Sequence, residues 1–599
     1  MHWRAFRRAL VIGAVFAGAS FVIARLDVFG IEHNSNHFAD SVVQRMAAPL
    51  YPRGGKGDAA PGQNAIRVVY IDEHALTALR GVGWDQFPPK FPQQTDMLRD
   101  VLTGAGDDKP PAALFADFVY LGVAGRPEGF DDFVGLVGKS TRSSQWTHIG
   151  ACQANPLMKI ACIVEARGTP IIFGKPSPDV LAATPIQAEL EQHAVLTPVD
   201  VDQEAYPLAR SYDELRGPAE SRGDFESRMR GTGVHGYDLS PAAALYAAYC
   251  LKARHGACGG MFEPARLAAD QALAGRDPPP ALFPKDLQAP VAVVWGSRPN
   301  TDAINLSRAV SGAAPSCRGA HESETLFWAT ARRIVEQLVL LRGAGQGSAQ
   351  ECPYSVAIGY DKIAAAQGLD AEDLSTLLAG KLVLLGGHLR ASNDWVESPV
   401  HGQVPGVDYH AMALDNLVEF GADYRRNEPP FGVTELFKSF LEFTLVATIA
   451  WVVMHRNELL ATKAKDHPEQ RLTLRQYAPL YLWLLALSAS AIMVATMVGL
   501  RLSHWAPINW IGVSVVVGTF FVIDAGEHLV KDLAGSLRSR PGGRKVVGLC
   551  EHVVEFFEYK HARLSDGGHP PPSPPGPGGP EPALRPDRAT AQETSHASS

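Results

Sequence analysis

The stretch GKLVLLGG, residues 380–387, places four consecutive branched aliphatic side chains between a lysine and two glycines. Such a short continuous apolar run is typical of a strand with both faces buried, as in a parallel sheet. Four similar runs are IRVVYIDE (66–73), PAALFADFVYLG (111–122), TPIIFGK (169–175) and APVAVVWGS (289–297). Helical patterns such as QQTDMLRDVLTGAG (93–106) alternate with them. We therefore predict an α/β fold with a largely parallel sheet, plus an insertion loop over residues 123–168, where periodicity is weak.

Acidic residues follow three of these predicted strands. Asp72 and Glu73 end the first strand, Asp117 lies near the end of the second, and Asp394 follows GKLVLLGG by one loop. In open α/β sheets, ligands bind outside the carboxyl ends of the strands. One hypothesis is that these four acids converge and bind a cation or an amine. The alternative is that they cap helices and brace loops, as aspartate commonly does.

The stretch PGVDYHAMALDNLVEFG, residues 405–421, predicts a helix. Its apolar side chains form one buried stripe: Met412, Leu414, Leu417 and Val418. Asp408 is predicted to cap the start of this helix, and His410 to be a satisfied core or capping histidine rather than a base. A metal site that combines His388, His401 and His410 with Asp394 is less favoured, so no metal is predicted.

The composition excludes several classes of function. The chain has 599 residues, 46% hydrophobic side chains and a formal net charge of −8. This charge and the lack of a basic stripe exclude a nucleic-acid partner. The sequence contains none of the common nucleotide-binding, serine-hydrolase, metalloprotease or protein-kinase motifs. We therefore predict no catalytic residue, no enzymatic activity and no cofactor.

Four apolar stretches predict membrane-spanning helices, each of which needs about 20 mostly apolar residues. The first follows a basic N-terminus and is either an anchor or a cleaved signal peptide; we favour the anchor. The other three lie in the C-terminal third of the chain. Basic residues cluster before the first stretch, between the second and the third, and after the fourth. By the positive-inside rule, both termini are then cytoplasmic and the large domain is exported.

The predicted organisation follows from these spans. In chain order it comprises a cytoplasmic N-terminus (1–8), a first transmembrane helix (9–31), an extracytoplasmic domain (32–430), a second transmembrane helix (431–454), a cytoplasmic loop (455–476), a third transmembrane helix (477–500), a short extracytoplasmic loop (501–507), a fourth transmembrane helix (508–527), a cytoplasmic amphipathic segment (528–566) and a disordered tail rich in proline and glycine (567–599).

Six of the seven cysteines lie in the predicted extracytoplasmic domain: Cys152, Cys162, Cys250, Cys258, Cys317 and Cys352. An even number of cysteines fits disulfide bonds in an oxidising compartment. Local pairing joins 152 to 162, 250 to 258 and 317 to 352, although other connectivities and six buried thiols are alternatives. Zinc is less favoured, because no C-x-x-C pair is present.

Five blocks of the exported region occur in the order of a known family. They are VVYIDEHALTAL (68–79), AALFADFVYLG (112–122), VLTPVDVDQEAYPLARSY (195–212), HGYDLSPAAALYAAYCL (235–251) and GKLVLLGGHLRASNDWVESPVHGQVPGVDYHAMALDNL (380–417). Together they resemble the CHASE2 extracellular sensor domain of bacterial membrane receptors over most of residues 66–420. The family's usual layout is one N-terminal span, this domain and three C-terminal spans, which is also the layout predicted here from charge and hydropathy.

The resemblance implies a multi-pass receptor of the bacterial inner membrane with its sensor domain in the periplasm. In that family the last span usually leads into a cyclase or a kinase, but the stretch after Ile523 is too short for such a domain. We therefore expect a sensor that signals through its membrane helices to a separate protein partner and that can form homo-oligomers. The alternative is a scaffold subunit of an envelope complex whose exported domain binds another protein; an exported hydrolase is least favoured.

Fusions to alkaline phosphatase, which is active only after export, test this topology. We expect activity for a fusion after residue 300 and no activity for fusions after residues 460 and 540, because only the first position is predicted to be exported. Activity of the fusion at residue 540 would contradict the four-span topology.

Overall fold

The computed structural model describes residues between 40 and 426, with gaps at 43, 52–59, 81–83, 85–86, 105, 107–108, 121–125, 177–183, 200–205, 212–236, 254–257, 280–282, 298–331, 334–353, 365–370 and 391–393. The four predicted membrane spans and the C-terminal segments lie outside the described residues. Within the described part of the chain, no helix has the length and apolar character that a membrane crossing requires.

The centre of the fold is a sheet of six parallel strands in the order β4-β3-β2-β8-β1-β7. Its strands are β1 (Ile66–Asp72), β2 (Ala113–Ala116), β3 (Ile171–Lys175), β4 (Val195–Pro198), β7 (Val356–Gly359) and β8 (Leu382–His388). The opening run of the sequence analysis is β8, which pairs with β1 on one side and with β2 on the other. The predicted α/β fold with a parallel core is therefore confirmed.

Helices cover both faces of this sheet. The described helices are α1 (Pro61–Ala65), α2 (Glu73–Ala78), α3 (Phe91–Thr103), α4 (Phe130–Thr141), α5 (Pro156–Glu165), α6 (Pro185–His193), α7 (Pro241–Lys252), α8 (Glu263–Leu273), α9 (Tyr360–Ala364), α10 (Ala371–Leu378) and α11 (Gly406–Phe420). Helices α5, α7, α8 and α11 pack on one face, and α3, α4, α6, α9 and α10 pack on the other. The result is a three-layer arrangement with one hydrophobic core on each side of the sheet.

Strand β1 shows why the apolar runs are continuous. Val68 points into the core beneath α11, whereas Val69 and Ile71 point into the core beneath α3. Because successive side chains of a strand face opposite sides, a strand between two helix layers buries nearly all of its residues. Each fully buried Val or Ile side chain stabilises the fold by about 1.5–3 kcal/mol.

The prediction of an insertion loop over residues 123–168 is wrong. Helices α4 and α5 both lie in this stretch. The buried side chains of α4 recur with helical spacing: Phe130, Phe133, Val134, Val137 and Thr141. Glycines and polar residues between them weaken the hydrophobic periodicity of the sequence. Tertiary packing stabilises this helix although the local pattern does not predict it.

The prediction of a strand over APVAVVWGS is also wrong. Among the described residues of this stretch, Val291 forms isolated antiparallel bridges with two distant residues, and no ladder follows. The side chain of Asn416, in α11, accepts from the backbone N–H of Val294 and donates to its carbonyl, each at 2.9 Å. This amide satisfies the two backbone groups that a neighbouring strand would otherwise bind.

Two local cysteine pairs are present as disulfides. Cys152 bonds to Cys162, and Cys250 bonds to Cys258. The first pair is fully buried where α5 packs against α7 and α8. Cys317 and Cys352 lie outside the described residues. The two disulfides are compatible with an exported domain.

A hairpin leads from the sheet into the last helix. Strands β9 (Trp395–Ser398) and β10 (Gly402–Pro405) pair antiparallel, and Pro405 is also the residue that precedes the first turn of α11. Strands β5 (Ala209–Ser211) and β6 (Tyr237–Leu239) form a separate antiparallel pair. Helix α11 begins beside the carboxyl ends of β1 and β8, and runs back over them towards α1.

Candidate functional site

The carboxyl ends of β1, β2 and β8 lie side by side at one edge of the sheet. Asp72 at the end of β1 is level with His388 at the end of β8, and Asp117 follows β2 directly. The β9–β10 hairpin and the start of α11 bring two further acids to this edge, Asp394 and Asp408. This edge is where α/β sheets usually hold ligands.

Two of the four predicted ligand residues have structural partners here. Asp72 accepts a hydrogen bond from the backbone N–H of Ala75 at 2.7 Å and so caps α2. Exposed Glu73 accepts one from the backbone N–H of Arg390 at 2.7 Å, which lowers the pKa of Glu73. These contacts agree with the alternative that the two acids cap a helix and brace a loop. A role of Asp72 and Glu73 in ligand binding stays a prediction.

The other two predicted residues approach each other and a third acid. Burial raises the pKa of Asp117 well above its usual range, and the negative charge of Asp394 raises it further. The charge of Asp394 also raises the pKa of Asp408. No described basic side chain forms an ion pair with any of the three. We call Asp117, Asp394 and Asp408 the carboxyl cluster.

Asp408 is not the helix cap that the sequence predicted. The residue that caps α11 is Pro405, and no side chain bonds to the first turn from that position. Asp408 instead accepts a hydrogen bond from the hydroxyl of Tyr70 at 2.6 Å. Burial outweighs this bond and raises the pKa of Asp408 to about 7. The same interaction and burial raise the pKa of Tyr70 well above its usual range.

Gly406 allows Asp394 to reach the first turn of α11. The residue Asp394 is exposed, but a Cβ atom added to Gly406 would lie only 2.2 Å from its Oδ1 atom. Partial burial raises the pKa of the Asp394 carboxyl, and the nearby Gly406 N–H, which donates to the backbone carbonyl of Asp394 at 3.0 Å, lowers it by less. A side chain at position 406 therefore requires the carboxyl group of Asp394 to move.

Three aromatic rings line the same edge. The rings of Tyr70 and His388 are 4.9 Å apart, and those of His388 and Trp395 are 5.6 Å apart. Tyr70 also links this row to the carboxyl cluster through its hydroxyl group. Aromatic faces next to carboxylates favour cations, and organic ammonium groups above all.

The candidate histidines lie in separate environments. His410 is buried, as predicted for a core histidine, and its Nδ1 lies 2.7 Å from the hydroxyl of Tyr206. His401 is also buried, and its Nε2 lies 2.8 Å from the carbonyl of Gly296. Burial lowers the pKa of His401 to about 4 and that of His410 to about 3. Within the described residues, these histidines and His388 do not form a metal-ligand group.

A second polar group surrounds the N-terminus of α2. The potential ligand atoms of Asp72, His74 and Asp361 all lie within 4.8 Å of one another. Buried Asp361 has its Oδ2 atom 3.1 Å from both His74 Nδ1 and Lys362 Nζ. Because Asp72 caps a helix and Asp361 has a cationic partner, this group is satisfied by the protein itself.

No family model, no curated protein and no solved structure matches this chain. The resemblance to the CHASE2 sensor domain therefore stays a prediction, and the geometry of the described residues carries the functional argument.

The Asp408 carboxyl makes the stability of the protein depend on pH. The pKa of this carboxyl is higher in the folded state than in the unfolded chain. Its contribution to the free energy of unfolding is therefore present at acidic pH and is lost as pH rises from about 4 to about 7. We expect Asp408→Asn to exceed the wild type in free energy of unfolding at pH 8, by on the order of 1–4 kcal/mol. The difference should shrink towards pH 4.5.

Urea unfolding of the purified chain, followed by tryptophan fluorescence from pH 4.5 to 8, measures this difference. Asp277→Asn removes an exposed carboxyl from a loop and is the matched control, which should follow the wild type. If the free energy of unfolding varied with pH in the same way for Asp408→Asn and the wild type, the raised pKa of Asp408 would be contradicted.

Proposed function

We propose that this chain is a membrane receptor whose exported α/β domain binds a cationic ligand at the carboxyl cluster. The observation that carries the proposal is the meeting of three carboxyl groups, without a basic partner among the described residues, at the ligand-binding edge of a parallel sheet. Their raised pKa values express the cost of placing uncompensated negative charges close together and partly out of water. A bound cation removes that cost.

Two ligand classes fit this chemistry. Inorganic cations such as Ca²⁺ and Mg²⁺ bind carboxylate oxygens. An organic ammonium group also gains contact with the aromatic row of Tyr70, His388 and Trp395. The aromatic row favours the organic amine, and a direct comparison of the two classes decides between them.

Helix α11 supplies the path of transmission. Its first turn carries Gly406 and Asp408 of the site, and its last residue, Phe420, precedes the second predicted membrane span (431–454) by eleven positions in the sequence. Ligand binding shifts a conformational equilibrium only if the ligand binds the two states with different affinity. We propose that the site differs between those states in the position of the first turn of α11, and that the predicted membrane helices carry the change to a separate protein partner.

The domain acts in this proposal as a binding module and not as an enzyme. Asp408 bonds to a tyrosine, and the histidine nearest in sequence, His410, is buried against Tyr206. Neither arrangement supplies a nucleophile activated by a base. For the described residues of this edge we therefore propose binding and proton exchange with the solvent.

Isothermal titration of the purified full-length chain at pH 7 tests the proposal. The probes are calcium chloride, magnesium chloride, choline chloride and spermidine. We expect saturable binding of at least one probe, with proton release detected as a dependence of the heat on the ionisation enthalpy of the buffer. Protons should leave because a cation favours the ionised form of carboxyl groups whose pKa is raised.

Variants at the cluster identify the site. Asp117→Asn combined with Asp394→Asn should weaken binding at least about tenfold, since loss of a charged partner commonly costs more than 1.4 kcal/mol. Gly406→Ala should weaken it as well, because the new Cβ displaces Asp394. Asp277→Asn should leave binding unchanged. Failure of all four probes to bind, or full binding by the double variant, would overturn the proposal.

A further inference from the structure

A buried acid, Asp415, lies about two turns further along α11 than Asp408 of the carboxyl cluster. Asp415 is completely buried, and it faces Tyr51 from the N-terminal segment and Tyr354 from the stretch before β7. Helix α1 approaches from a third side, where a Cβ atom added to Gly62 would lie 1.9 Å from Asp415 Oδ1. Only a glycine fits at position 62 while this carboxyl keeps its place.

Hydrogen bonds satisfy one half of this carboxyl group. The hydroxyl of Tyr51 donates to Asp415 Oδ2, and the same hydroxyl accepts from Asn416 Nδ2 at 3.2 Å. Asp415 Oδ1 and the hydroxyl of Tyr354 are both buried and have no hydrogen bond in the structure. The carboxyl group therefore has one firm donor, a second hydroxyl close by, and no access to water.

The charged surroundings of Asp415 oppose its ionisation. The titratable groups that act on it are the two tyrosines and Glu419, one turn further along α11. The negative charge of Glu419 repels an ionised Asp415 and so raises the pKa of Asp415 further. Burial is the largest effect, and it raises the pKa of Asp415 to about 7.

These groups join the two ends of the described chain. Tyr51 belongs to the segment of residues 40–51, which follows the first predicted membrane span. Asp40 of this segment pairs with buried Arg425 at 2.8 Å, and Arg45 Nε donates to the carbonyl of Pro399 at 2.6 Å. The segment is thus held against the part of the chain that precedes the second predicted span.

We propose that Asp415 is a proton-controlled latch, which holds the segment of residues 40–51 against α11 when protonated and loosens it when ionised. A buried carboxylate next to Glu419 gains hydration when the segment moves away, whereas the neutral acid gains nothing from opening. The closed form therefore binds the proton more tightly than the open form. By linkage, opening becomes more favourable as pH rises from about 4 to about 7, and levels off above that range.

Hydrogen exchange on the purified full-length chain tests the latch, with mass spectrometry of peptides that cover residues 46–51 and 61–66. After correction for the intrinsic exchange rate, protection of these amides should fall between pH 5 and pH 7, towards about tenfold per pH unit for a single linked proton. Protection should be constant from pH 7.5 to pH 8.5. Wild-type protection that does not change with pH overturns the proposal, whichever variants fold.

Two variants assign the effect to Asp415. Asp415→Asn keeps the shape and the acceptor for Tyr51 but cannot ionise, so its protection should not vary with pH. Asp277→Asn removes an exposed carboxyl from a loop, and it should keep the wild-type pH dependence at residues 46–51. Equal slopes for Asp415→Asn and the wild type would overturn the proposal. The exchange is measured without added cation, so failure of the latch and failure of cation binding at the carboxyl cluster are distinguishable.

Discussion

Strand β8 has a hydrogen-bonded neighbour on each side and a helix layer on each face, and the rest of the structure depends on this enclosure. Its neighbours β1 and β2 end at the same edge as β8 itself. The chain that leaves β8 must therefore emerge between their carboxyl ends, and the β9–β10 hairpin returns it across that edge into α11. The position of the carboxyl cluster follows from this topology, because Asp117 and Asp394 lie on the connections that leave β2 and β8, and Asp408 lies in the first turn of α11.

Burial without basic partners is the second constraint. Asp408 at the start of α11 and Asp415 near its end each have one tyrosine donor, Tyr70 and Tyr51 respectively. A tyrosine hydroxyl stabilises a carboxylate but does not neutralise it, so burial dominates and the pKa of each acid is raised to about 7. One helix thus carries two proton-binding groups, Asp408 at the candidate ligand site and Asp415 about two turns further along, at the contact with Tyr51.

Sequence reasoning predicted the elements that local pattern controls. The apolar runs that became β1, β2, β3 and β8 are short and buried on both faces, which leaves a clear signal. The run APVAVVWGS carries the same signal but forms no strand, since the amide of Asn416 binds Val294 in place of a partner strand. A contact between residues so distant in the chain leaves no trace in local pattern.

Only part of the site could be predicted, because some of its contacts join residues that are distant in the chain. Asp117 and Asp394 follow strands, so topology alone places them together. Asp408 was identified only as a helix cap, because its hydrogen bond to Tyr70 joins residues far apart in sequence. Asp415 lies among the apolar positions of α11 and gives no sequence signal of burial, since the space for its carboxyl depends on Gly62 of another helix.

Helix α11 links the carboxyl cluster to the segment of residues 40–51 in the mechanism that we propose. The most direct test is hydrogen exchange of peptides covering residues 46–51 at pH 6, with and without a saturating concentration of the cation identified by titration. We expect the cation to change their protection about fivefold or more in the wild type, which corresponds to the lower end of usual coupling energies. It should have no effect in Asp117→Asn combined with Asp394→Asn. Unchanged protection in a wild-type chain that titration shows to be saturated would contradict this mechanism.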